Sequence, residues 1–121
     1  SAAALVLSEI SFDRTVAKAA KVTALLDRLD AIADFRNLMV DVETGQRGFL
    51  LTRDPAYLEP YEAARSRITP ALNRLGGLTP GDEGQAGVEA IRATAAERLA
   101  LASRSVGVRR FRRLDGTGIL G

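Results

Sequence analysis

The sequence predicts an all-α protein, an up-and-down helical bundle with three helices, the first very long. Three observations carry this. Between Ala2 and Thr52 there is no Pro, and no Gly before Gly45, so nothing local stops a helix over that interval. Apolar residues recur three and four apart along most of the chain, the spacing of one helical face. No segment alternates with the period of two that marks a half-buried strand, and no tandem repeat is visible.

The first helix is expected over residues 5–52. Val22, Leu25, Leu29, Ile32, Arg36, Met39, Glu43, Gln46 and Leu50 follow a strict 3-4-3-4 spacing, a heptad seam of the kind found in coiled coils and long bundles. Upstream, Phe12, Val16, Ala19 and Leu26 form a weaker seam rotated by about one residue. Asp54-Pro55 opens the second helix, with Asp as N-cap and Pro in the first turn. That helix is expected over 55–75, stopping at Gly76-Gly77, with an irregular first turn near Pro60 and a kink near Pro70. Thr79-Pro80-Gly81-Asp82 reads as a turn. Val88, Ile91, Ala95, Leu99, Ala102 and Val106 then make one stripe of a third helix, expected over 82–112. The remaining 113–121, with three glycines, reads as a tail. At ~1.5 Å per residue the first helix is about 70 Å long, the second about 30 Å and the third about 45 Å. Two short helices cannot cover so long a seam, which implies a further partner: a fourth helix, a second subunit or a neighbouring molecule.

Composition narrows the function classes. The 121 residues fit one domain, 1–121. The formal net charge of +2 creates no strong field and implies no general nucleic-acid affinity. With no Cys there is neither a disulfide framework nor a thiolate metal site. With no His the chain lacks the commonest general base near neutral pH and any phospho-accepting histidine. It carries no phosphate-binding glycine loop, metal-ligand cluster or nucleophile elbow. The expectation is no enzyme, no cofactor and no metal. Ala2–Leu7 is apolar but far short of the roughly 20 residues that span a bilayer, and no basic residue precedes it as in a signal peptide.

Chemistry concentrates in Asp41–Ala64, DVETGQRGFLLTRDPAYLEPYEAA. On a helical wheel Gln46 falls within the apolar stripe of Phe35, Met39, Val42 and Leu50, Glu43 shares that stripe, and Arg36 and Arg47 flank it. Glu43 precedes Arg47 by four residues, the favourable order for an intrahelical ion pair. Burial of these groups requires pairing, so Glu43, Gln46 and an Arg are expected to form a hydrogen-bonded cluster. Such a cluster either fixes bundle register or binds a small anion or polar ligand. Gly45 and Gly48 lie on the opposite face and mark either weakening of the helix near its end or close approach by another helix. Tyr57 and Tyr61 are i,i+4 neighbours, expected to close the end of the bundle with their hydroxyls reaching water, or to face a ligand. Leu58 is the expected core residue of that turn. Asp27 and Asp30 read as surface charge. Arg109, Arg110, Arg112 and Arg113 around Phe111 read as a solvated helix end in preference to a contact with RNA or lipid.

The order ETGQRG, a hydrophobic triplet, Asp-Pro-Ala-Tyr-Leu and then Glu-Pro-Tyr closely resembles the signature of the CHASE3 family. The likeness is tight over Asp41–Ala64 and looser in the flanking helices. The resemblance implies a four-helix bundle whose first and last helices continue into membrane spans. It implies an extracytoplasmic, periplasmic input domain of a bacterial inner-membrane receptor, foremost a sensor histidine kinase in a two-component system, otherwise a cyclase or chemoreceptor. The rival reading is a helical dimerisation or adaptor module without a sensory role. Where the family continues into a long fourth helix, this sequence ends in LDGTGILG. The expectation is an exposed apolar groove and association as a homodimer or helix-exchanged oligomer.

Overall fold

The computed structural model describes residues 2–118, with side chains through Arg109. Three α-helices and one 3-10 turn account for nearly all of it, and no strand occurs among the described residues. Helix α1 runs over Ala2–Thr52, α2 over Leu58–Leu78 and α3 over Asp82–Gly118. Pro55–Tyr57 forms the 3-10 turn ahead of α2. α2 folds back along the C-terminal half of α1, and α3 then runs in the direction of α1, setting Ile91 beside Arg36 and Ala102 beside Gln46.

The reversal after α1 is built by short-range chemistry. Arg53 adopts φ 59°, the left-handed conformation that ends many helices. Its N–H donates to the carbonyl of Phe49 at 2.7 Å. The Asp54 carboxylate accepts the Ala56 N–H at 2.9 Å, capping the 3-10 turn in place of the longer helix expected from Pro55 onward. Pro60 sits in the first turn of α2, where a missing N–H leaves no bond unmade. α2 passes through Pro70 without a break and ends at Leu78, three residues beyond the expected stop. The terminus is closed from α3: Gln85 Nε2 donates to the carbonyls of Gly76, at 2.8 Å, and Thr79, at 2.6 Å. Gly81, at φ +80°, makes the turn between them. Residues 113–118 continue α3 where a tail is expected; 119–121 lie outside the described residues.

The core lies between the helices from Ala31 onward. α1 contributes Ala31, Leu38, Met39, Val42 and Phe49, and α2 contributes Leu58, Tyr61, Ala64, Ile68, Ala71, Leu72 and Leu75. α3 adds only Val88, Ala95, Ala102 and Val106 as buried residues. The expected stripe of α3 is otherwise present, except that Ile91 is exposed. The N-terminal half of α1 projects beyond this core: Leu5, Leu7, Phe12, Val16, Leu25 and Leu29 are all exposed. At ~1.5 Å per residue α1 is about 76 Å long and α2 about 31 Å, so α2 covers less than half of it.

One sequence expectation changes here. The residues of α1 that face α2 are Ala31, Leu38, Val42, Gly45 and Phe49, with Phe35 partly buried beside them. This is also a 3-4 frame, set one residue earlier than the seam that the sequence singles out. Of that later seam, Met39 is buried, whereas Val22, Leu25, Leu29, Ile32, Arg36 and Glu43 are exposed. The helix therefore carries two adjacent heptad frames, and the polar one is the outer.

Candidate functional site

The outer frame of α1 and the neighbouring face of α3 form an open groove. One part of it, about 450 Å³, has apolar walls from Phe35, Met39, Val40, Ile91 and Ala95, with Arg36, Glu43, Thr94 and Arg98 as its polar groups. The groove continues along α1 past Gln46 to Arg47 and Leu50. Four of the sequence-selected polar residues, Arg36, Glu43, Gln46 and Arg47, thus share one surface. They do not form a buried cluster, because no polar or charged residue is buried among the described residues. Arg36, Glu43 and Arg47 are exposed and Gln46 is half-buried.

The ion pair also differs from expectation. Glu43 pairs with Arg98 of α3 at 3.6 Å, not with Arg47 one turn along its own helix. Helix spacing identifies an i,i+4 partner, but it says nothing about which residue of a later helix arrives at the same level. Both side chains are about half exposed or more, at 49% and 63%, so solvent screens the pair. Replacing Arg98 by Gln is expected to change unfolding free energy by about 0.5 kcal/mol or less, and this difference should shrink further in urea titrations at high salt. Asp30, read as surface charge, makes a similar inter-helix pair with Arg74 at 3.2 Å.

The second half of the signature builds a tight joint between α1 and the start of α2. A Cβ placed on Gly45 would lie 2.8 Å from the Cβ of Tyr61, 3.0 Å from the carbonyl oxygen of Tyr57 and 3.1 Å from the Cα of Tyr61. At Gly48 the Tyr57 ring occupies the space that a side chain would need. Both glycines therefore serve close approach, and the approaching segment belongs to the same chain. The tyrosines do not share a role. Tyr57 is 39% exposed and lies across Gly48, whereas Tyr61 is 2% exposed and enters the core. The Tyr61 hydroxyl has no hydrogen-bond partner, in contrast to the expectation that it reaches water. Leu58 is buried as expected. Arg109 is half-buried on α3, and the side chains of 110–113 lie outside the described residues.

Among the described residues no group of acidic side chains is placed to hold a metal ion, and no helix is long and apolar enough to cross a membrane. What this geometry offers is a surface along a helix and a close-packed joint at its end. A family model for the CHASE3 domain matches residues 18–119, most of the chain and the whole of the packed bundle. The chain belongs to the CHASE3 family. CHASE3 domains are extracytoplasmic sensory domains of receptors such as histidine kinases. The matched interval includes both the groove and the Gly–Tyr joint, so these are features of a CHASE3 sensory domain. No curated protein and no solved structure matches the chain.

Proposed function

We propose that this CHASE3 domain is the periplasmic input module of a bacterial inner-membrane sensor histidine kinase, and that it signals by repacking its helices without catalysis of its own. The observation that carries this reading is the continuity of α1. One uninterrupted helix begins in the exposed N-terminal stem, joins the bundle at Ala31 and ends at the Gly–Tyr joint. A helix cannot stretch appreciably, so a shift of α2 or α3 against its C-terminal half displaces the stem as a rigid body. A stimulus drives that shift only by binding one packing better than another. α3 is the element suited to move, since it buries only Val88, Ala95, Ala102 and Val106 against seven buried residues on the shorter α2.

The test holds α3 in place. Glu43→Cys and Arg98→Cys together, in a receptor carrying this domain, give two thiols in a domain with no other Cys. Bridging them with a short bismaleimide is expected to fix kinase autophosphorylation at one level irrespective of stimulus. Bridged receptors that respond as fully as unbridged ones rule the reading out.

We propose further that the groove admits a second copy of the chain in solution. A parallel in-register copy would set Arg36 against Arg36 and Glu43 against Glu43. An antiparallel copy, centred between Met39 and Val40, sets each Arg36 against the other Glu43. For the isolated chain, free of a membrane, opposite charge thus favours the two-fold antiparallel arrangement, which buries the exposed Leu29, Ile32 and Val40; its opposed stems make it an association of the free domain and not of the membrane-held receptor. Sedimentation at increasing concentration should show self-association that Arg36→Glu weakens and the double exchange Arg36→Glu/Glu43→Arg restores. A monodisperse monomer at high concentration counts decisively against it.

A further inference from the structure

The hollow where the stem of α1 meets the bundle has no part in the signalling path above. It measures about 450 Å³ and lies between Lys21, Leu25 and Arg28 of α1 and the segment Gly77–Pro80, the end of α2 and the start of the turn to α3. That volume is in the range of small-molecule sites. Lys21 and Arg28 are seven residues apart on α1, about 10.5 Å along its axis. No acidic residue lines the hollow, and none stands three or four positions from either cation, so neighbours on the helix do not neutralise them. Asp82 and Glu83 occupy the first turn of α3, where the helix dipole favours negative charge, but neither is a wall of this space. Elsewhere on α1 charge is matched across helices, Asp30 by Arg74 and Glu43 by Arg98. Here two cations share one concave surface.

Gly77 supplies an independent observation. It stands inside the last turn of α2, although Gly is a poor helix former. A Cβ added there would meet nothing within 4 Å, and its φ is not positive. Neither close packing nor backbone conformation requires glycine at this position, as they do at Gly45 and Gly81. What the missing side chain does is keep the hollow open. Leu25 stands between the two cations on α1, and Leu78 and Pro80 add apolar surface from the other wall. Two positive groups separated by an apolar strip call for an occupant with two negative ends and an apolar middle.

We propose that this hollow binds a short dicarboxylate, with one carboxylate on Lys21, the other on Arg28, and the methylene chain against Leu25, Leu78 and Pro80. The Arg28 guanidinium matches a carboxylate with two parallel hydrogen bonds, whereas Lys21 acts as a point charge. A compact dianion such as phosphate carries its charge at one point and leaves the apolar strip uncovered. A bound dicarboxylate ties the stem of α1 to the α2–α3 turn, just before Ala31, the first buried residue of α1. The site is a property of the isolated domain. Failure to bind leaves the reading of the domain as a kinase input untouched, and binding does not depend on that reading.

Adipate, added to the whole chain at about 10 mM, is expected to raise the melting temperature by about 3–8 °C in a saturable way. Hexanoate and sodium chloride at the same ionic strength should each move it by less than about 1 °C, since one lacks the second charge and the other the apolar chain. Gly77→Leu fills the hollow with no clash at its Cβ. It should melt no lower than the parent and lose the adipate shift. Lys21→Gln combined with Arg28→Gln should lose the shift as well, at positions that are exposed and half-buried. No shift with adipate overturns the proposal, as does a shift that sodium chloride or hexanoate reproduces or that Gly77→Leu retains. An equal shift with phosphate also overturns it, because the site would then read charge alone.

Discussion

Phe49→Ala is expected to destabilise the bundle by about 3–5 kcal/mol, the range for truncating a buried Phe. Phe49 is 1% exposed and among the largest fully buried side chains. It closes the distal end of the core where α1, α2 and α3 all contribute to one cluster. α1 and α2 are joined there by the Arg53–Asp54 reversal, so the surrounding backbone is poorly able to collapse into the space vacated. Leu29→Ala supplies the contrast. Leu29 is apolar, lies on the same helix and occupies a perfect heptad position, yet it is 53% exposed. Its truncation is expected to change stability by no more than about 0.5 kcal/mol in the monomer. Urea unfolding of the two variants measures which heptad frame is the core. Equal losses would mean that the outer frame is also buried, and that the packing described here is incomplete in solution.

That contrast also shows what the sequence could and could not disclose. Helix existence was legible, because long Pro-free stretches and 3-4 spacing report on the local chain. Which of two adjacent frames is buried was not decided by spacing, since Ala31, Phe35, Leu38, Val42, Gly45 and Phe49 repeat as regularly as Ile32, Arg36, Met39, Glu43, Gln46 and Leu50. The deciding signal was present in composition. A frame interrupted by Arg, Glu and Gln is costly to bury, and one interrupted only by Gly is not. Reading the polar residues as buried rungs inverted that logic. The Glu43–Arg98 pair and the Gln85 cap were out of reach for another reason: both depend on the level at which α3 meets an earlier helix, which its own sequence does not encode. The signature in Asp41–Ala64 identified the family without revealing its internal geometry. It named Gly45, Gly48, Tyr57 and Tyr61, but that the glycines receive the tyrosines required the fold.

Gly45→Ala should be destabilising by about 1–3 kcal/mol even though Ala is the better helix former by roughly 1 kcal/mol. The new Cβ would meet a Cβ, a Cα and a carbonyl oxygen of the Tyr57–Tyr61 segment, the nearest at 2.8 Å. None of these atoms can swing aside. Relief requires the backbones of α1 and α2 to separate, which loosens Val42, Phe49, Leu58 and Tyr61 together. Gly45→Val should cost more, since it adds two further carbons and a β-branch to the same contact. Gly48→Ala lies one turn away with a different obstacle. There the clash is with the ring of Tyr57, a partly exposed side chain that can rotate outward. The gain in helix propensity then offsets the displaced ring, and the net change should be within about 0.5 kcal/mol. Thermal melts of the three variants separate the two glycines. If Gly45→Ala were as stable as the parent, the close approach of α1 and α2 would not be a constraint on the fold. If Gly48→Ala were as damaging as Gly45→Ala, the Tyr57 ring would be fixed in place and the joint would be rigid on both sides. The predicted asymmetry leaves one backbone contact that cannot give, at Gly45, beside one side-chain contact that can, at Gly48. Tyr61 thereby keeps its register against α1 whether or not the Tyr57 ring moves.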